Sequence, residues 1–167
     1  MKTRDYQRRK CYRFGWSLPK GEVLSDADAS DLIKRIWAYF RMEGACPKFV
    51  SHNKNRRKCN YYRKTNTLKM PFDKRTSRRI IHEVCHAVNT VYSPKRGRRI
   101  RIGASHGEQY MATYCIALAM FHPNLWPELQ PKERLSKLIA VAQNDFKLKV
   151  DSETLQKLQK GENNETT

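Results

Sequence analysis

Apolar residues recur at the spacing of an α-helix in several stretches of the chain. The first stretch predicts a helix that starts at Ser25, which has capping-box spacing with Asp28, and ends at Gly44. Its apolar face contains Leu32, Ile33, Ile36, Trp37 and Phe40. The second stretch predicts a helix over about residues 75–92, and its stripe contains Ile80, Ile81, Val84, Cys85, Val88 and Val91. Three further helices are predicted at about residues 106–121, from Pro131 onward, and at residues 152–160.

Three short strand patterns lie between the first two helices. Residues 47–52, 60–64 and 67–72 are separated by turn-forming stretches. We therefore predict an α+β fold, in which a small three-stranded antiparallel or mixed sheet packs on the helix over residues 75–92 and on additional helices. The chain length favours one domain over residues 1–160, with a basic N-terminal arm over residues 1–24 and a disordered tail over residues 161–167.

The second helix contains the run His82-Glu83-Val84-Cys85-His86, which has the pattern H-E-x-x-H. On a helix that turns about 100° per residue, His82 and His86 share one face and lie about 6 Å apart along the axis. Two imidazoles at that spacing can bind one metal ion, and Glu83 beside them can act as a general base. The simpler interpretation is an ordinary helix with two solvent-facing histidines.

A catalytic zinc site needs a third protein ligand, and His106 is the best candidate. It lies at the start of a predicted helix, where Ser105 and Glu108 have the spacing of a capping box. Glu108 competes as a ligand, but the cap explains it fully. His122 ends the same helix about 24 Å away, too far to share a metal ion with His106. His52 lies in a predicted strand among basic residues and is interpreted as a surface histidine.

These residues resemble those of the SprT-like zinc metallopeptidases. The pattern of that family is H-E-x-x-H, a variable loop, and then H-G followed by an aromatic residue. Here Ser105-His106-Gly107-x-x-Tyr110 follows the first motif, and the resemblance covers about residues 47–120. It implies a zincin-like fold, one Zn²⁺ per chain held by His82, His86 and His106, and Glu83 as the catalytic glutamate. Spartan-type members of the family degrade proteins crosslinked to DNA and are activated by DNA.

The chain departs from this family in two ways. The step from His86 to His106 is 20 positions and contains a basic loop over residues 93–101. Many members also carry a C-terminal zinc ribbon with paired C-x-x-C motifs, whereas the five cysteines here form no C-x-x-C. Cys11, Cys46, His52 and Cys59 fit no standard metal-ligand spacing, so we interpret the cysteines as ordinary thiols.

The charge of the chain is concentrated in its first part. Residues 1–102 contain 27 Lys and Arg against 8 Asp and Glu, a net charge of +19, whereas residues 103–167 carry 7 against 8, a net charge of −1. Such an excess of positive charge favours a polyanionic partner, and the expected partner is DNA, either single-stranded or mixed. The candidate nucleic-acid-binding residues are Arg8, Arg9, Lys10, Arg13, Arg56, Arg57, Lys58, Arg96, Arg98 and Arg99. The interleaved aromatic side chains either stack on bases or pack in the core.

The function that best fits these features is zinc-dependent hydrolysis of proteins on or near nucleic acid. Glu83 would accept a proton from water and deliver it to the leaving amine. A strand that includes Leu68, Lys69 and Met70 would pair with an extended substrate. Tyr110, on the face of His106, would either pack beside the site or donate to an oxyanion, and packing is favoured.

The alternative is a basic nucleic-acid-binding or structural protein, viral or otherwise genome-associated, in which the metal site is structural or a relic. The N-terminus has no apolar stretch that would make it a signal peptide, and scattered cysteines suit a reducing compartment. We therefore expect a protein that is not secreted and has no membrane partner. The expected compartment is the cytoplasm, or the host cytoplasm or nucleoid if the protein is viral.

Overall fold

A computed structural model describes residues 3–52, 59–92, 106–122, 124–146, 150 and 152–160. Over these residues the protein has six α-helices and one three-stranded sheet, which confirms the α+β class. The elements in chain order are α1 (Thr3–Ser17), α2 (Asp26–Tyr39), β1 (Lys48–His52), β2 (Asn60–Tyr62), β3 (Thr67–Pro71), α3 (Ser77–Tyr92), α4 (Glu108–Phe121), α5 (Pro131–Asn144) and α6 (Ser152–Lys160). The turn at residues 53–57, the basic loop at 93–101 and the tail at 161–167 lie outside the described residues.

The sheet is mixed, and its strand order is β1-β3-β2. β3 pairs in parallel with β1, with Lys48 opposite Thr67, and antiparallel with β2, with Tyr61 opposite Leu68. β1 packs against α2 and β2 packs against α3. The last strand in sequence is therefore the central one in space, and it leads directly into the helix that carries the H-E-x-x-H motif.

The capping prediction for α2 is confirmed, whereas its end differs from the prediction. Ser25 is the N-cap, and its Oγ accepts the backbone N–H of Asp28 at 3.1 Å. All five residues of the predicted apolar face are buried: Leu32, Ile33, Ile36, Trp37 and Phe40. The helix ends at Tyr39, five positions before Gly44, because the chain turns away at Arg41, whose φ is 48°.

The centre of the core is α4, which is buried almost all round. Every residue from Tyr110 to Ala119 is buried, and α3, α5 and α6 pack around it. The helix begins at Glu108, two positions later than predicted. Its N-cap is Gly107, which makes no side-chain cap, and Ser105 lies outside the described residues. His106 therefore lies in the turn before α4. Across the described residues, no helix has the length and apolar character needed to span a bilayer.

The basic N-terminal segment forms a helix that the sequence analysis did not predict. In α1, Cys11 and Phe14 are buried in the core, as is Leu18 directly after the helix, whereas Tyr6 is 47% and Trp16 is 70% exposed. The core interpretation is therefore correct for Phe14, whereas Tyr6 and Trp16 are exposed, and stacking of these two rings on bases stays a prediction. The end of α1 is anchored by Arg78, which donates to the Leu18 carbonyl, and by His122 Nε2, which lies 2.8 Å from the Pro19 carbonyl oxygen.

Candidate metal centre

Three histidines from two parts of the chain come together beside α3. His82 and His86 are one turn apart on this helix, whose apolar side chains Ile80, Ile81, Val84 and Val88 are fully buried and fix its rotation. His106 approaches from the turn before α4. The ring centroids lie 5.1 Å apart for His82 and His86, 5.2 Å for His82 and His106, and 4.7 Å for His86 and His106.

These separations match those of ligands on one tetrahedral ion. With Zn–N bonds of about 2.0–2.1 Å and tetrahedral angles, two ligating nitrogens lie about 3.3 Å apart and their ring centres lie about 5 Å apart. The Nε2 atoms of His82 and His106 are 3.3 Å apart, which is also long for a hydrogen bond. The geometry of this pair is therefore that expected of two imidazoles aimed at a common point.

The protein environment favours the uncharged form of the two α3 imidazoles. Burial lowers the pKa of His82 well below its ordinary value of 6.5, and the neighbouring His86, His106 and Arg78 lower it further. Burial and the proximity of His106 lower the pKa of His86 to about 3. A neutral imidazole has the free lone pair that a metal ion requires, so both α3 histidines are ready to bind at neutral pH.

A fourth residue joins this cluster, and the sequence analysis did not place it there. Among the described residues, the group whose possible ligand atoms all lie within 4.8 Å of one another consists of Cys11, His82 and His106, all buried, and it could hold a metal ion. His86 is not a member of that group, although its ring is close. No sequence signal pointed to Cys11, since it lies 71 positions before His82 and in no recognised ligand spacing.

Glu83 follows His82 on α3, is buried and lines a cleft. Burial raises the pKa of its carboxyl group to about 8, against the effect of a hydrogen bond from the Tyr61 N–H to Oε2 at 2.9 Å. A divalent cation nearby would favour the ionised carboxylate. The cleft has a volume of about 350 Å³, and its walls include Cys11, Tyr12, Asn60, Arg78, His82 and Glu83.

Two tyrosines enclose the histidines. The Tyr110 ring stacks on His86 with centroids 4.5 Å apart, and its hydroxyl donates to the His82 carbonyl at 2.9 Å. Because a backbone carbonyl engages this hydroxyl, the contacts support the packing role for Tyr110 over the oxyanion role. Tyr12 of α1 stacks on His82, with centroids 5.4 Å apart and the rings 20° from parallel.

The structure does not support the predicted substrate strand. β3 is the central strand, and along Thr67–Lys69 it pairs with β1 on one side and β2 on the other. Leu68 and Lys69 therefore have no backbone edge free for a substrate, and the side chains of Leu68 and Met70 are fully buried. The sequence pattern identifies a strand correctly, but it does not reveal the position of that strand in the sheet. The strand that contacts Glu83 is β2.

The remaining predicted residues lie outside the compact group of Cys11, His82 and His106 or outside the described part of the chain, and of these Arg8 lines the cleft. Glu108 is exposed in the first turn of α4, His52 lies in β1, and His122 contacts Pro19. Arg8, Arg9 and Arg13 are exposed on α1, where Lys10 lies over the Tyr6 ring. The other predicted nucleic-acid-binding residues lie outside the described residues: Arg56, Arg57, Lys58, Arg96, Arg98 and Arg99.

Comparisons of the chain with family models, curated proteins and solved structures found no match in any of the three. The resemblance to SprT-like peptidases consequently rests on the motif residues of the sequence alone. The chemistry of the site must be argued from its own side chains.

Proposed function

We propose that this protein is a zincin-like metallopeptidase, in which His82, His86 and His106 hold one Zn²⁺ and Glu83 is the general base. The observation that carries the proposal is the convergence of the three motif histidines, with ring centroids 4.7 to 5.2 Å apart, beside a cleft lined by Glu83. Three ligands and a neighbouring general base are elements that a hydrolytic zinc site requires.

The donor set fits zinc better than it fits the other common divalent ions. Imidazole and thiol groups are ligands of Zn²⁺, whereas Mg²⁺ and Ca²⁺ prefer oxygen. The His86 ring centre already has ligand spacing. Rotation about the Cβ–Cγ bond, which is a soft torsion, reorients its nitrogens while the ring stays beside His106. Zinc binding by His86 would require this reorientation, because its nitrogens lie outside the compact group of ligand atoms.

The role of Glu83 follows from its position. When bound, zinc would polarise the scissile carbonyl and lower the pKa of a water molecule. The Glu83 carboxylate takes a proton from the attacking water and returns it to the leaving amine. The Tyr61 N–H holds one carboxylate oxygen, which leaves the other for this proton transfer. A purely structural metal site has no need of an ionisable carboxyl group buried at this position.

Removal of the metal is expected to abolish hydrolysis of a denatured protein substrate. The purified chain, loaded with Zn²⁺, should cleave the substrate, lose this activity after treatment with a chelator, and regain it when Zn²⁺ is returned. Release of peptides measured by mass spectrometry follows the reaction, and elemental analysis confirms each metal state. Full activity in protein shown to be free of metal would contradict the proposal.

A nucleic acid is the partner that the α1 surface favours. This helix presents the exposed cations Arg8, Arg9 and Arg13 together with the exposed rings of Tyr6 and Trp16. Cations that neutralise phosphates, beside rings on which bases stack, form the usual surface for single-stranded nucleic acid. This surface also supports the alternative function, a nucleic-acid-binding protein with a structural metal, which would bind DNA without hydrolysing protein.

Replacement of Arg8, Arg9, Lys10 and Arg13 by Gln is expected to weaken binding of single-stranded DNA. Log affinity falls with log salt concentration, and each phosphate contact that is lost makes this slope less steep by about 0.7. Fluorescence anisotropy at several salt concentrations measures this slope. The matched control replaces Lys132, Arg134 and Lys137 of α5, on the less basic part of the chain, and should leave the slope unchanged. Equal slopes for wild type and the α1 variant would refute a role for this surface.

A further inference from the structure

A zinc site with three histidine ligands and one open coordination position does not explain why Cys11 lies beside the histidines. Its thiol belongs to the compact group with His82 and His106, yet it is contributed by α1, which precedes the sheet and the motif helix. The five cysteines, all within the described residues, are free thiols, so no disulfide accounts for this placement. A buried thiol beside two buried imidazoles has the composition of a zinc site of the Cys-and-His type.

The packing of α1 holds this thiol over the histidines. One turn after Cys11, the Phe14 ring packs edge-on against Tyr114 of α4, with centroids 6.1 Å apart. Gly15 permits this close approach, because a Cβ atom at this position would lie 3.3 Å from the Tyr114 hydroxyl. Tyr12 covers His82 and lies 5.4 Å from the His106 ring. The helix is thus docked on both sides of Cys11, directly over the imidazoles.

We propose that Cys11 is the fourth ligand of the zinc site, and that the protein folds as a latent peptidase whose N-terminal helix must leave the site before water and substrate can enter. The inference rests on the proposed function. Zinc takes four ligands in a closed site, whereas a catalytic site keeps one position for water. Three histidines and Cys11 fill all four positions, and the Cys11 thiol releases its proton to solvent when it binds the metal.

The geometry of the cleft is consistent with this block. Cys11 and Tyr12 line the same cleft as Glu83, so the general base and the proposed fourth ligand face one space. In the closed form, Cys11 and Tyr12 of α1 form part of the wall of the cleft in which Glu83 must act. Displacement of Cys11 and Tyr12 vacates the coordination position and opens the His82 face in a single movement.

The spectrum of the Co²⁺-substituted protein tests the ligand directly. In the wild-type chain, a thiolate-to-cobalt charge-transfer band is expected in the near ultraviolet, together with the intense visible bands of a tetrahedral site. Cys11→Ala should lose the charge-transfer band and retain bound cobalt. Cys115→Ala is the matched control, because Cys115 is also fully buried but lies on α4 outside the metal group, and it should keep the band.

The rate of protein hydrolysis by the zinc-loaded variants tests whether Cys11 keeps the wild-type site inactive. If the wild-type site is open in about one molecule in ten, Cys11→Ala should cleave a denatured protein about tenfold faster than wild type, and Cys115→Ala should cleave it at the wild-type rate. Circular dichroism and thermal melting check that both variants are folded. A wild-type cobalt spectrum without the charge-transfer band overturns the inference whether or not the Cys11 variant folds.

The two readouts separate this inference from the proposed function. If the band depends on Cys11 but no variant hydrolyses protein, the ligand assignment stands and both latency and the peptidase function fail. If zinc-dependent hydrolysis occurs but the band is absent, the peptidase stands and the Cys11 inference fails. If Cys11→Ala loses the band without any gain in rate while wild type is active, Cys11 is a ligand and latency is wrong.

Discussion

Glu83→Gln is expected to lower kcat/KM for protein hydrolysis by about 10²- to 10⁴-fold, the contribution of a general base, while the zinc content stays at the wild-type level. The amide has the size of the carboxyl group and can accept the Tyr61 N–H through its oxygen, so the cleft wall is preserved. It cannot take a proton from water. The variant therefore removes the base and leaves the histidines in place.

The matched control for this experiment is Glu108→Gln, which makes the same chemical change at an exposed residue in the first turn of α4. Activity and zinc content should both be those of wild type, because Glu108 lies outside the metal group. Peptide release and elemental analysis are measured on the same preparations. Undiminished hydrolysis by Glu83→Gln would show that the activity does not come from this site.

Local signals predicted α3, which carries His82 and His86, and α4, which follows His106. The apolar stripe of α3 determines which face is buried, and this rotation brings His82 and His86 to the side where His106 arrives. The cap at Ser25 and the capping box of Gln130 and Glu133 with Pro131 are likewise formed by neighbouring residues. Each of these signals lies within a few positions of the structure that it specifies, so sequence spacing is sufficient to find it.

Contacts between distant parts of the chain could not be predicted from local spacing. The central position of β3 depends on which strands pair, and the alternation of side chains contains no such information. The approach of Cys11 to His82 depends on the docking of α1, which is anchored by Phe14, Leu18 and the contact of Arg78 with the Leu18 carbonyl. A segment so rich in charge also gives a weak apolar stripe, and its charge alone indicated a solvent-exposed arm.

His106→Ala is expected to weaken zinc binding strongly, because it removes a proposed ligand. Loss of a residue that only hydrogen-bonds to a metal ligand weakens binding by about 10- to 100-fold, and the loss here should be larger. The buried Nε2 of His82 would lose the nitrogen that faces it at 3.3 Å. Since metal binding contributes to the folding free energy, the zinc-loaded variant should also melt at a lower temperature than wild type. Calorimetric titration with Zn²⁺ and thermal melting measure the two effects.

The matched control is His52→Ala, which removes an imidazole from β1 outside the metal group. The decisive measurement is the zinc content of wild type, His52→Ala and His106→Ala after dialysis against the same weak chelator. We expect about one zinc per chain in wild type and His52→Ala, and a small fraction of that in His106→Ala. Zinc retained by His106→Ala at the wild-type level would contradict the proposed zinc site of His82, His86 and His106.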